Sequence, residues 1–185
     1  FTKNTLDFEN KSMYSIRIKT TTQYGLSMEK AFTVTITDVN EAPTLASISN
    51  STICYTPATQ TIPLTGISAG PEKNQTVTLS VNSDNPTLFK NLKVSGSGNN
   101  TSLNYSIQEG MNGTANITIT VTDDGGIANG GINTYSKTFV LTINPLPVIT
   151  ITSDKGSNIS KGDIVHLTAS GATSYVWTAN SSIIS

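Results

Sequence analysis

The chain is poor in the residues that most enzymes and nucleic-acid binders depend on. Its 185 residues include one cysteine, one histidine and one tryptophan. With Cys54 alone, no disulfide can form within the chain, and the residue is expected to act as a small buried hydrophobe. His166 lies between Val165 and Leu167 with no cysteine or acid at ligand spacing, so it is expected to be an ordinary strand residue. No Ser-His-acid or Cys-His set can be assembled, which excludes the common nucleophilic hydrolases. Only 12% of residues are charged, the net charge is −1, and Arg17 is the only arginine. Scattered cations of this kind make no patch for nucleic acid. No apolar run approaches the roughly twenty residues that span a bilayer as a helix. The Gly125-Gly126 and Gly130-Gly131 pairs are not a phosphate loop, because no lysine follows at the right offset.

Threonine and serine are abundant, at about a quarter of the chain. Apolar and β-branched residues alternate with them at period two, and Gly, Asn and Ser cluster between the alternating runs. No helical period competes, so the chain reads as all-β. Three units follow from the spacing. Residues 1–42 hold two alternating runs, Tyr14-Ser15-Ile16-Arg17-Ile18 and Phe32-Thr33-Val34-Thr35-Ile36, joined by a turn at 23–27. Two or three strands cannot bury a sandwich core that needs about seven. The missing strands lie upstream or come from another chain, and the former is favoured. Residues 43–145 make a complete unit, with strands expected at 61–64, 76–81, 102–107, 115–122 and 138–143 and a long Gly/Asn-rich loop at 125–133. Residues 146–185 begin a third unit, with strands expected at 148–152, 163–170 and 174–178.

The first two units repeat one another. Ile16, Ile18, Gly25 and Leu26 align with Ile117, Ile119, Gly126 and Ile127, and the run from Phe32 aligns with that from Phe139. At the boundary between them stands Asp38-Val39-Asn40-Glu41-Ala42-Pro43, two acids and an amide closed by a proline that cannot donate to a sheet ladder. Hard oxygen donors gathered at a strand end suit Ca²⁺. The equivalent second boundary, Asn144-Pro145-Leu146-Pro147, has no carboxylate and is expected to be stiffened by its prolines instead. Asp123-Asp124 could suggest acid–base chemistry, but neighbouring strand residues point to opposite faces.

The 38–43 hexapeptide resembles the closing motif of cadherin repeats, and Leu6-Asp7-Phe8-Glu9 resembles the leucine-aspartate-any-glutamate motif of the same family. The run Thr120-Val121-Thr122-Asp123-Asp124-Gly125-Gly126 looks like a repeat of large bacterial adhesins. The opening of the third unit, with Gly162-Asp163 and Tyr175-Val176-Trp177, is similar to PKD-type or immunoglobulin-like repeats of bacterial surface proteins. These resemblances imply tandem immunoglobulin-like Greek-key sandwiches (cadherin- and PKD-type), the first and last truncated, in a longer extracellular chain, with Trp177 packed in the core of the third. They also imply a calcium set: Asp7, Glu9 and Glu41 through side-chain oxygens, Val39 through its carbonyl, Asn40 through its amide oxygen, and Asp123 from across the junction. Asp38 either touches the ion or orients the loop. Thr22 stands where the cadherin family carries an aspartate that reaches back to the preceding junction, and Tyr55-Thr56 stand where the bacterial repeat carries an acidic pair, which implies lost ligands at the second unit's far junction. The expected function is a non-enzymatic spacer or adhesive stalk on a bacterial cell surface, meeting a protein or glycan ligand or a second copy of itself. An accessory carbohydrate-binding module of a secreted polysaccharide-degrading enzyme is the alternative, and it requires a flat row of exposed aromatics.

Overall fold

The computed structural model describes residues 6–178, the Asn99 side chain excepted. The ends of the first and third units, 1–5 and 179–185, therefore lie outside the described residues. Among the described residues, all regular structure is strand apart from three short 3₁₀ turns.

The middle unit is a seven-stranded sandwich. Strands β3 (Ser51–Cys54), β9 (Thr134–Asn144), β8 (Gly113–Asp123) and β5 (Val77–Ser83) form one sheet in the order β3-β9-β8-β5. Strands β4 (Gln60–Pro63), β7 (Ser102–Ile107) and β6 (Phe89–Ser95) form the other in the order β4-β7-β6. Every pairing is antiparallel except β3 with β9. Alternation along β8 shows why the sheet faces inward as it does. Ala115, Ile117, Ile119 and Val121 are each 1% exposed or less, while the intervening Asn116, Thr118, Thr120 and Thr122 face outward. Across the gap, Leu64, Leu88, Leu103, Tyr105 and Ile107 close the core against Phe139, Leu141 and Ile143. Each such side chain contributes about 1.5–3 kcal/mol by leaving water.

The outer face of β8 and β9 is a hydroxyl ladder. Thr118 faces Thr138 at 2.9 Å and Thr120 faces Ser136 at 2.8 Å. Cross-strand pairs of this kind hold register on a face that has no core to do so.

Two strands of the middle unit break the period-two expectation. In β6 the register slips between Phe89 and Asn91, a bulge that leaves Lys90 unpaired and interrupts the apolar alternation. β3 is four residues long and on the sheet edge, too short to show a period. Cys54 ends that strand and is exposed, which corrects the expectation of a buried thiol: Ile53 takes the inward position and Cys54 the outward one.

The first unit is a two-stranded hairpin of β1 (Met13–Thr21) and β2 (Ser27–Thr35). It copies the β8–β9 hairpin in register. Ile16 pairs with Phe32 and Ile18 with Lys30, as Ile117 pairs with Phe139 and Ile119 with Lys137. The aligned turn glycines Gly25 and Gly126 have φ of 82° and 83°, a left-handed conformation that other residues rarely adopt. Burial separates the two hairpins: Phe139 is 1% exposed and Phe32 is 44% exposed.

In the third unit, β10 (Thr150–Ser153) pairs with β11 (Leu167–Ser170), and their connection is tied by Asp163, which accepts from Ser160 N and Lys155 Nζ. The strand expected at 174–178 does not form, and Trp177 is half exposed beside Ile149, Ile151, Ala169 and Tyr175 rather than enclosed. Among the described residues this unit has one sheet and nothing opposite it to close a core. His166 precedes β11 and donates its backbone N–H to Asp154 Oδ1 at 3.0 Å.

Candidate metal centre at the first junction

Four chain segments meet at the pole of the middle sandwich. They are the turn before β1 with Asp7 and Glu9, the linker 38–43, the loop between β4 and β5 with Glu72 and Gln75, and the β8–β9 loop that follows Asp123. The linker is brought there because Pro43 and Leu45 bury at once in the sandwich. Thr44 then bridges Ser68, donating N–H to its carbonyl at 2.8 Å, and Ala46 N donates to Thr65 O at 2.9 Å.

Asp7 shapes its own turn, accepting from Asn10 N through Oδ1 at 3.0 Å. Glu9 and Asp38 line a groove of about 440 Å³ with Phe8, Pro71, Glu72 and Gln75. A backbone hydrogen bond lowers the Glu9 pKa, but desolvation and the charges of Asp38 and Asp7 outweigh it, so the net shift is upward. Glu41 is also raised, by desolvation first, then by a hydrogen bond with the Glu72 carboxyl and the charges of Glu9 and Glu72. Glu41 donates its backbone N–H to Glu72 Oε1 at 2.8 Å. Carboxylates that raise one another's pKa mark a place short of positive charge.

Asn40 and Asp123, both named in the implied calcium set, meet through the Asn40 amide nitrogen. Asn40 Nδ2 donates to Asp123 Oδ1 at 3.1 Å, and Asn40 Oδ1 accepts from Gln75 Nε2 at 2.6 Å. Val39 lies half-buried beside it in the linker. The two aspartates at the end of β8 divide as strand geometry requires. Asp123 shares parity with Ile117 to Val121 and is 4% exposed. Asp124 points outward and accepts from Thr76 N at 2.9 Å and Thr76 Oγ1 at 2.7 Å, which lower its pKa.

Glu72 is the residue that sequence reasoning missed. Its signal was an acid inside a Gly-Pro-Glu-Lys-Asn turn, short of a strand start and on the same pole as the linker. Three buried oxygens here have no hydrogen-bond donor: Glu72 Oε2, Gln75 Oε1 and Asp123 Oδ2. Buried acceptors without partners are costly and call for water or a cation. Among the described residues, no three acids, histidines or cysteines already stand in coordinating geometry. The donor set is nonetheless all oxygen and mostly anionic, which suits a hard divalent ion. The residues present fit one.

No family model and no curated protein matches this chain. Solved structures do. The chain is similar to protocadherin gamma B2 extracellular cadherin domains 3–6 at 19% identity and a TM-score of 0.53, over 91% of this chain and 42% of that one. A protocadherin gamma B7 structure containing extracellular domains 3–6 is similar at 22% identity and a TM-score of 0.46, over 80% of this chain and 36% of that one. The chain thus spans well under half of either structure. The fold is that of cadherin-like, immunoglobulin-like β-sandwich domains. Among the described residues, no helix is long and apolar enough to cross a membrane.

Proposed function

We propose that this chain is an extracellular repeat segment of a bacterial surface adhesin, a spacer or adhesive stalk whose first inter-unit junction is stiffened by calcium. The observation that carries the reading is the gathering of Asp7, Glu9, Asp38, Glu41 and Glu72 beside three donorless buried oxygens where one unit meets the next. Glu9, Glu41, Glu72 and Asp123 Oδ2 would hold the ion, with Asp38, the Val39 carbonyl and the Gln75 amide oxygen completing the shell. Calcium when bound supplies the positive charge that this pole lacks. Without it the carboxylates of the first unit repel those of the linker and loop, and the hairpin is free to swing. The matching register of the two hairpins supports a first unit built on the same plan as the second, completed by strands opposite its Ile16 and Phe32 face. Among the described residues the exposed aromatics are Phe8, Tyr24 and Phe32 on the first unit and Tyr175 and Trp177 on the third, with none on the complete middle sandwich, which favours a spacer over a carbohydrate-binding module there.

Calorimetry on the whole chain tests this, with an expected calcium affinity of about 10⁻⁴–10⁻³ M, the range of extracellular modules. Small-angle scattering should show the distribution of dimensions narrowing when calcium is added. If the Glu41→Gln/Glu72→Gln pair binds calcium as well as the parent, or chelator leaves the scattering profile unchanged, the reading is wrong.

A further inference from the structure

We propose that Asn40 is a latch that seats the linker on the middle unit without metal, so that calcium acts only on the swing of the first unit. The Asn40 carboxamide enters the β8–β9 loop. Its Nδ2 has two N–H groups for three acceptors, Asp123 Oδ1 at 3.1 Å, Gly126 O at 3.1 Å and Ile132 O at 2.8 Å, so one hydrogen is shared between two of them. Its Oδ1 takes the Gln75 Nε2 donor at 2.6 Å. The backbone adds a bond from Ile132 N to Asn40 O at 2.8 Å, and Glu41 N anchors the next residue on Glu72 Oε1. A carboxylate oxygen and two loop carbonyls around one point form the kind of oxygen set that a cation serves; here the amide N–H groups serve it.

The loop is shaped for this side chain. A Cβ on Gly125 would lie 1.8 Å from Asn40 Oδ1 and 2.3 Å from Gln75 Nε2, and one on Gly131 would lie 3.1 Å from Asn40 Cβ. Gly125 N also donates to Asp123 Oδ1 at 3.0 Å, which aims that oxygen at the latch. Asp123 therefore divides its carboxylate: Oδ1 belongs to the latch, and Oδ2 has no donor. The expectation that the Asn40 amide oxygen ligates calcium is replaced by a different role, since that oxygen faces Gln75 Nε2. The latch stands independently of calcium. Only the assignment of calcium to the first unit's swing rests on the function proposed above.

Amide hydrogen exchange on the whole chain in excess chelator is the test. The Ile132 and Glu41 amides should exchange about tenfold or more slowly in the parent than in Asn40→Ala, Asn40→Asp or Gly125→Ala, given what a hydrogen bond to a charged acceptor contributes. Protection of Ile119 and Phe139 amides in the core serves as the control that each variant is folded. Equal Ile132 and Glu41 exchange in parent and Asn40→Ala overturns the latch. So does parental protection that appears only when calcium is added, an outcome that would leave the calcium reading standing. Protection in chelator together with a scattering profile insensitive to calcium upholds the latch and removes the calcium reading instead.

Discussion

Phe139 and Phe32 occupy matching positions in two hairpins of the same register, and replacing each by alanine separates the contribution of burial from that of the strand itself. Phe139 is 1% exposed within the same buried core cluster as Leu88, Leu103 and Tyr105, so Phe139→Ala removes a full ring and leaves a cavity. That costs about 3–5 kcal/mol. For a unit of this size, each kcal/mol corresponds to roughly 4–8 °C, so the transition of the middle sandwich should fall by at least about 12 °C. Phe32 is 44% exposed, with only the Lys30 ammonium over its ring, 5.4 Å from the centroid. Phe32→Ala should cost about 1 kcal/mol or less and leave the middle unit's transition where it was. The assay is thermal unfolding followed by far-UV circular dichroism and tyrosine emission. Trp177 is unsuitable as a reporter because it belongs to the third unit, whereas Tyr55, Tyr105 and Tyr135 pack in the middle one. If Phe139→Ala costs under about 1 kcal/mol, the sandwich core described here does not hold the unit together. If Phe32→Ala matches it, the first hairpin is covered in solution, and local register does not leave its face open.

Three further outcomes follow from the junction and the sheet edge. Glu9 and Glu41 both have raised pKa values, so the folded junction binds protons more tightly than the unfolded chain does. In calcium-free solution, folding stability should therefore rise as pH falls from neutral toward the ordinary glutamate value of 4.5, and it should be lower above the raised values. Calcium needs the charged forms, so its affinity measured by calorimetry should weaken over the same descent; affinity constant down to pH 4.5 would contradict the assignment of these glutamates. Cys54 is exposed at the end of an edge strand, so a thiol reagent should modify it fully in the native protein at close to the rate found in denaturant. A native rate slower by a hundredfold or more would place the thiol under cover.

Alternation carried most of the architecture. Period-two runs place β1, β2, β5, β7, β8 and β9 within a few residues of where they form, and strand geometry sends Asp123 and Asp124 to opposite faces before any contact is known. The repeat of Ile16, Gly25 and Phe32 in Ile117, Gly126 and Phe139 carried through to shared register and shared turn conformation, because both are set by local backbone geometry. The linker acids, too, stand out as a charged cluster between two apolar runs. Tertiary structure alone decided the rest. β6 was hidden by its bulge at Lys90, which exists only as a mismatch with β7. Whether Ile16 and Phe32 are buried depends on a second sheet, which no pairing within the hairpin can supply. Cys54 faces outward because Ile53 takes the inward position of β3, and Trp177 stays half exposed because, among the described residues, nothing stands opposite its sheet. Glu72 joined the site, and Asn40 turned its nitrogen toward Asp123, because loops far apart in sequence converge on one pole. Local periodicity reports which face of a strand is apolar; only the fold determines what that face, or a loop side chain, finally meets.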